Sequence, residues 1–285
     1  MDEIVTEEKR LLGVYPGMPE KEYRQAPGMN KSSMDNFMRS PLHYLTMKRD
    51  PPPPTPQMFV GSAFHTLVLE PERFKTEYVP DPGGQSKEMK EWRAKQYADG
   101  KTPISTKGGG DIWNASDWDM IHHMRDAVRE HPIASILVQG QAEQSLFWVD
   151  KTVHKLCKAR IDVHNDSHNI NVDLKSAADA SYSGFQRAVH SYHYMIQDAF
   201  YTDGWQAATK AEKRIPFVFV VVEKQPPYGV ACYTLEPEWQ RVGREIYQRT
   251  LQLFKECKDT ETWPCYPTEV RDLVMPGYGK YHNIS

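Results

Sequence analysis

The stretch Glu143-Gln-Ser-Leu-Phe-Trp-Val-Asp150, followed by His154-Lys-Leu-Cys-Lys-Ala-Arg-Ile-Asp-Val163 and Asn169-Ile-Asn-Val-Asp-Leu-Lys175, decides the fold. Each piece is short and rich in β-branched or aromatic residues. Turn formers separate them, at Asp150-Lys151-Thr152 and Asn165-Asp166-Ser167. That pattern predicts three antiparallel strands. Side chains alternate across a strand. Cys157, Ala159, Ile161 and Val163 therefore share one face, as do Ile170, Val172 and Leu174. The other face carries Lys158, Arg160 and Asp162 on one strand and Asn171, Asp173 and Lys175 on the next.

The turns suggest a register. With His164 opposite Asn169, Arg160 faces Asp173 and Asp162 is its diagonal neighbour. Diagonal neighbours stand roughly 7–8 Å apart, so two carboxylates can lean onto one ion. With Val149 opposite His154, Glu143 faces Arg160 and lies diagonal to Asp162. Three carboxylates and Lys175 then converge on one polar face, an arrangement that needs a cation or a proton. The plain alternative is a solvated strand face of mixed charge, and Asp-x-Lys alone is a weak signal.

The chain of 285 residues has room for one large domain or two small ones. Its mean hydropathy of -0.67 and the lack of a long apolar run argue against a membrane span. The first residues, Met1-Asp-Glu-Ile-Val-Thr-Glu-Glu, are acidic and lack an apolar secretory segment, so a cytoplasmic protein is expected. Cys157, Cys232, Cys257 and Cys265 form no Cys-x-x-Cys pair and read as reduced thiols, with Cys157 and Cys232 buried in strands. A net charge of -3 neither announces nor excludes nucleic-acid binding, because acidic site residues and an acidic outer surface can mask a local basic channel.

Working outward, residues 1–28 carry Pro16, Gly17, Pro19, Pro27 and Gly28 and read as an extended arm ahead of one domain spanning 29–285. Asn30 offers a helix N-cap, with Met34, Phe37, Met38 and Leu42 at helical spacing. Asp50 to Pro56 is a polyproline connector, and Phe59 to Leu69 a buried helix that holds His65. On the residues alone, such a histidine is a core residue. Val79 to Gly110 reads as a mobile surface region with a short helix at Lys87–Tyr97. Helices are expected over Asp111–Glu130 (Ile112, Met120, Met124 and Val128 inward), from Ser181 to Val189, from Ser191 to Lys213 and from Glu236 to Lys258. Gln197 and Tyr201, four apart, project from one side of the third of these. Pro216–Glu223 and Gly229–Leu235 are strands, and the tail from Trp263 is irregular. The sum is an α/β domain with a mixed central sheet of about five strands flanked by helices.

Several stretches together resemble one family. They are Lys31-Ser32-Ser33-Met34-Asp35, Gly61-Ser62-Ala63-Phe64-His65, Glu143-x-Ser145-x-Phe147-Trp148, Arg160-Ile161-Asp162, Asp173-Leu174-Lys175, Tyr194-x-x-Gln197-Asp198-Ala199-Phe200-Tyr201 and Trp263-Pro264. Their order is similar to that of the RecE-type phage recombination exonucleases, the exonuclease VIII family of the PD-(D/E)xK superfamily. Ile161 stands where that family often has proline, and Ser176-Ala177 where it often has two threonines.

The resemblance implies a restriction-endonuclease-like core and a divalent-metal site. Asp162, Asp173, the Leu174 carbonyl and His65 would ligate magnesium, for which manganese substitutes. That context favours ligand over core for His65. Glu143 would be a further acidic group, and Lys175 would sit against the attacking water and the scissile phosphate. Gln197, Tyr201, Arg160 and Ser33 would support the site or touch DNA. The implied activity is 5′ to 3′ exonucleolysis of linear duplex DNA, leaving a 3′ overhang. The implied partners are DNA ends, a RecT-type annealing protein and further copies in a ring. Single-strand or flap endonuclease activity, or a non-catalytic DNA-end scaffold, are the rival readings.

Overall fold

The computed structural model describes residues 10–273. Its strands are β1 (Gly13–Tyr15), β2 (Tyr78–Asp81), β3 (Thr102–Ser105), β4 (Gln141–Val149), β5 (Leu156–Asn165), β6 (Ile170–Ala177), β7 (Phe217–Glu223) and β8 (Val230–Tyr233). Six of them form one sheet in the order β1-β4-β5-β6-β7-β8, and β2 pairs β3 as a separate parallel ribbon. Within the large sheet β6 and β7 run parallel, and the other neighbours run antiparallel.

The helices are α1 (Glu20–Gln25), α2 (Lys31–Arg39), α3 (Pro41–Arg49), α4 (Pro56–Leu69), α5 (Pro71–Glu77), α6 (Lys87–Ala98), α7 (Asp117–Glu130), α8 (Ala134–Leu137), α9 (Tyr182–Ser191), α10 (Tyr194–Thr209) and α11 (Pro237–Thr260). Most long helices start where the side chains dictate. Asn30, Thr55, Ser86, Ser116 and Ser181 each accept a backbone N–H of the first turn.

β7 shows why the sheet is central. Phe217, Phe219 and Val221 enter one core, against Ile196, Ala199 and Phe200 of α10 and Leu251 and Phe254 of α11. Val218, Val220 and Val222 enter another, against Ala63, Phe64 and Leu67 of α4 and Ile121, Met124 and Val128 of α7. A strand buried on both faces is a continuous apolar run, as its sequence is.

β5 is different. Ile161 packs in the first core and Val163, on the same side of an ideal strand, packs in the second. The break falls at Asp162. Across from it, Glu143 has a left-handed φ of 54°, and the ladder pairs Ala142 with Val163 and Gln144 with Ile161 while skipping the position between. The β5–β6 ladder runs only from Val163↔Val172 to Asn165↔Ile170. Past it β5 follows β4 and β6 follows β7, so the sheet forks at Asp162 and Asp173.

The register differs from expectation. His164 lies opposite Asn171, not Asn169, and Val149 opposite Leu156, not His154. Arg160 therefore faces Ser145 rather than Glu143. Both turns are longer than assumed. Asp150 Oδ1 takes the N–H of Thr152 and Val153 at 2.9 and 3.0 Å, and Asn165 Oδ1 takes that of His168 at 3.1 Å. His154 and Asn169 close the turns with φ of 54° and 51°. Each shift is an even number of residues, so the slip itself changes no facing; Val163, expected on the face of Cys157, Ala159 and Ile161, parts from them only through the break at Asp162.

The arm is not extended where it is described. Gly13–Tyr15 adds an edge strand to β4, α1 follows, and Met18, Tyr23 and Met29 are buried. This makes six strands rather than five. Residues 1–9 lie outside the described residues. The region read as mobile surface holds β2, α6 and β3. Ile112, expected inward, is exposed because Ser116 starts α7 late, and Leu42, read at the helical spacing of Met34, Phe37 and Met38, is exposed in a separate helix that Pro41 starts afresh. Cys157 is buried and Cys232 only half-buried. The tail forms no helix or strand up to residue 273, although Trp263 stacks on Tyr44 at 5.8 Å; its remainder lies outside the described residues. Among the described residues no helix is long and apolar enough to cross a membrane.

Candidate active site

The fork in the sheet gathers the polar residues. His65 reaches it from α4, whose Phe64 and Leu67 are anchored in the second core. Its Nδ1 lies 3.5 Å from Asp162 Oδ2, and its ring also hydrogen-bonds the Leu174 backbone. The Leu174 N–H donates to the same Asp162 oxygen at 2.8 Å. Glu143 completes a triad: one ligand atom from each of His65, Glu143 and Asp162 lies within 4.8 Å of the others. Glu143 stands opposite Asp162 at the gap in the β4–β5 ladder, with a left-handed φ of 54°.

Burial, then the Asp173 carboxylate, pushes the Asp162 pKa up to about 8. Burial and then Asp162 raise Glu143 as well. Burial lowers His65, which keeps its imidazole neutral with a lone pair to offer. Burial is the first cause of all three shifts, and for Asp162 and Glu143 a neighbouring carboxylate adds to it against the pull of Arg160.

Arg160 answers part of that charge. Its Nε donates to Glu143 Oε2, and its Nη1 donates to Met18 O at 2.9 Å and Ser145 Oγ at 3.0 Å. The guanidinium also lies over the Tyr23 ring at 5.6 Å. Arg160 thereby holds Glu143 in place and ties the N-terminal segment to the site.

Asp173 and Lys175 form the second half. Lys175 Nζ sits 2.5 Å from Asp173 Oδ2. That oxygen takes no well-directed hydrogen bond, so the contact is chiefly ionic. Gln197 Nε2, from α10, donates to Asp173 Oδ1. Burial pulls the Lys175 pKa down, but Asp173 and Asp162 together carry it above the ordinary lysine value. Lys175 is thus a fixed positive charge, 4.8 Å over the Tyr194 ring. Tyr201, one turn beyond Gln197, lines the same cleft as His65 and Glu143.

The donor set fits a hard divalent cation. Two carboxylate groups and a neutral imidazole converge, and the raised carboxyl pKa values are what a cation would reverse. The fit is not the expected one in every ligand. Glu143 stands with His65 and Asp162, whereas the Asp173 oxygens face Gln197 and Lys175. The Leu174 backbone is engaged with Asp162 and His65.

Ser33 does not join the site. Its N–H donates to Asn30 at 2.8 Å, and it lines a separate hollow with Tyr44 and Lys158. Its neighbours Lys31 and Ser32 line the cleft of His65 and Glu143 instead, a space of about 630 Å³ that also takes in Arg24, Arg73 and Met58. Sequence reasoning assigned no part to Lys31 or Tyr194. Both stand in the quoted motifs, and that was their one available signal.

A family model described as a PDDEXK-like domain of unknown function (DUF3799) matches residues 31–272. No curated protein matches the chain. Among solved structures, a candidate exonuclease from Eubacterium rectale shares the fold, with a TM-score of 0.62 at 12% identity, over 94% of this chain and 99% of that one. The family match covers most of the chain and includes His65, Glu143, Asp162, Asp173 and Lys175, so the protein belongs to the PDDEXK-like domain family of unknown function.

Proposed function

We propose that this protein is a magnesium-dependent nuclease that digests linear duplex DNA from its ends. The observation that carries the reading is the meeting of His65, Glu143 and Asp162 beside the Asp173–Lys175 ion pair. A divalent ion held by the triad supplies Lewis-acid activation of water and offsets charge gathering on the phosphate. The chain's own groups do the rest. Lys175 presents a permanent cation to the same phosphate and stabilises it most when its charge is greatest. Asp173, gripped by Gln197, fixes where that ammonium points. Arg160 keeps Glu143 from swinging away.

Polarity from 5′ to 3′, a 3′ overhang for strand annealing, a RecT-type partner and a ring of copies belong to the proposal through the family resemblance. Support for an enzyme over a scaffold comes from Asp162, Asp173 and Lys175 all being retained, since DNA holding alone needs none of them. Time-resolved digestion of linear duplexes labelled at the 5′ or 3′ end, beside a closed circle, tests it. Mononucleotide release from one labelled end with magnesium, none with EDTA and an intact circle is the expected result. Cutting of the circle, or equal action with EDTA, would refute it.

A further inference from the structure

Lys31 opens α2, and it has a carboxylate partner and a backbone partner. Its Nζ donates to Asp35 Oδ2 at 2.7 Å and to Tyr192 O at 2.6 Å. Its side chain is only 13% exposed, yet it lines the cleft together with His65 and Glu143. Above all, it shares a platform with the candidate catalytic lysine. Lys31 Nζ lies 5.8 Å from the Tyr194 ring centroid and Lys175 Nζ lies 4.8 Å from it. Each ammonium has one carboxylate beside it, Asp35 for Lys31 and Asp173 for Lys175, and a further anion lying between the two would be drawn to both.

The neighbouring cations of the cleft are better neutralised. Arg73 is held by Glu70 and Glu77 at 2.7 Å each, and Arg24 by Glu20. Lys31 has the single carboxylate of Asp35, bound through Oδ2, while Asp35 Oδ1, 3.4 Å from His193 Nδ1, takes no hydrogen bond. Burial, with a contribution from Lys175, also lowers the Lys31 pKa. A largely buried ammonium that lines the cleft and shares the Tyr194 ring with Lys175 is suited to a phosphate.

We propose that Lys31 binds a backbone phosphate of the DNA strand next to the one being cut, so that Lys31 and Lys175 grip consecutive phosphates across Tyr194. The inference rests on the nuclease reading above. Lys31 is a substrate-binding residue here; Lys175 acts on the reacting phosphate.

Lys31→Gln keeps a donor for Tyr192 O and removes the charge. Asp35→Asn removes the carboxylate partner and keeps the charge. Affinity of the full chain for a fluorescein-labelled linear duplex in EDTA, measured from low to moderate salt, separates the roles. Lys31→Gln is expected to weaken binding about tenfold and to lower the slope of log affinity against log salt by about 0.9. Lys31→Arg should restore both. Asp35→Asn should bind as tightly as the parent or tighter. In the cleavage assay, Lys31→Gln should raise KM about tenfold and change kcat less than about threefold. An unchanged salt slope in Lys31→Gln, or an equal loss in Asp35→Asn, would show a merely structural bridge and overturn the proposal. If the parent binds with the steeper slope but never cleaves, the nuclease reading fails while the phosphate contact stands.

Discussion

Leu174 donates its backbone N–H to Asp162 Oδ2 at 2.8 Å, across the gap where β5 and β6 part. The bond joins two strands that no longer share a ladder. It does for the site what sheet pairing does elsewhere: it fixes the distance between the Asp162 strand and the Asp173-Leu174-Lys175 strand. His65 closes the same knot from α4, through Asp162 and the Leu174 backbone. The acidic residues are therefore preorganised by backbone as well as side chains.

Lys175→Ala tests the electrostatic role. The Lys175 ammonium contacts Asp173 but is not part of the triad. Metal-induced thermal stabilisation should survive the change, and duplex binding should weaken by no more than about tenfold, the scale of one phosphate contact. Cleavage should fall by at least about a hundredfold, the scale of losing one preorganised charge in a dry site. Full residual cleavage in end-labelled digestion would remove Lys175 from the mechanism.

Asp162→Asn separates stability from metal binding. Asp162 is crowded by burial and by Asp173, so the neutral amide relieves repulsion while it can still accept from Leu174. In EDTA at pH 8.5 the variant should melt at or above the parent temperature. The rise in melting temperature on adding magnesium should vanish. A shift with magnesium equal to the parent's would place the ion elsewhere.

Much of this site was legible in the chain, and the part that was not has a physical reason. Alternation of Cys157, Ala159 and Ile161 with Lys158, Arg160 and Asp162 is a local property, so strand and facing could be read. The reversal at Asp162 could not, because it falls where the ladder skips Glu143, a left-handed position at a residue with no glycine or asparagine signal. Likewise, alternation is blind to a slip of two residues, so turn chemistry at Asp150 and Asn165 settled the register. The sheet edge at Gly13–Tyr15 was hidden by brevity: three residues carry no period.

The metal-free protein should lose stability as pH rises from about 6.5 to 8. Asp162 is raised in the fold to about 8, well above its ordinary carboxyl value. The folded state therefore binds the proton more tightly, and its advantage is full at low pH and lost as pH climbs through 8. Glu143, also raised, has the same sign. His65, lowered by burial, acts in the opposite sense, but only below its ordinary value near 6.5. Asp198, raised by burial to about 7, adds to the fall, and Lys158, lowered by burial to about 8, opposes it only at the top of the window, so Asp162→Asn, which should flatten the slope, assigns the share due to the site. Melting temperature in EDTA should fall across the window, whereas magnesium should flatten or reverse the trend. An upward slope in EDTA would contradict the crowding of carboxyl groups.

Deleting residues 1–28 should cripple the protein, even though the family match begins at residue 31. Lys158 Nζ is buried against the carbonyls of Tyr23 and Ala26 at 2.8 and 2.6 Å, and lies 4.8 Å over the Tyr23 ring. Without those acceptors a desolvated ammonium loses its partners. Removing the segment also uncovers Phe147, which packs with Met18 and Tyr23, and strips β1 from the edge of β4. Arg160 loses the Met18 carbonyl, leaving Glu143 less firmly held. A drop in melting temperature on the order of 10 °C, with cleavage lost in proportion, is expected. Lys158→Met within the full chain isolates one contact: it removes the buried charge together with its need for acceptors, so its cost should be far smaller than that of the deletion. A truncated chain that melts and cleaves like the parent would show that the segment is an appendage and that Arg160 needs no help from Met18.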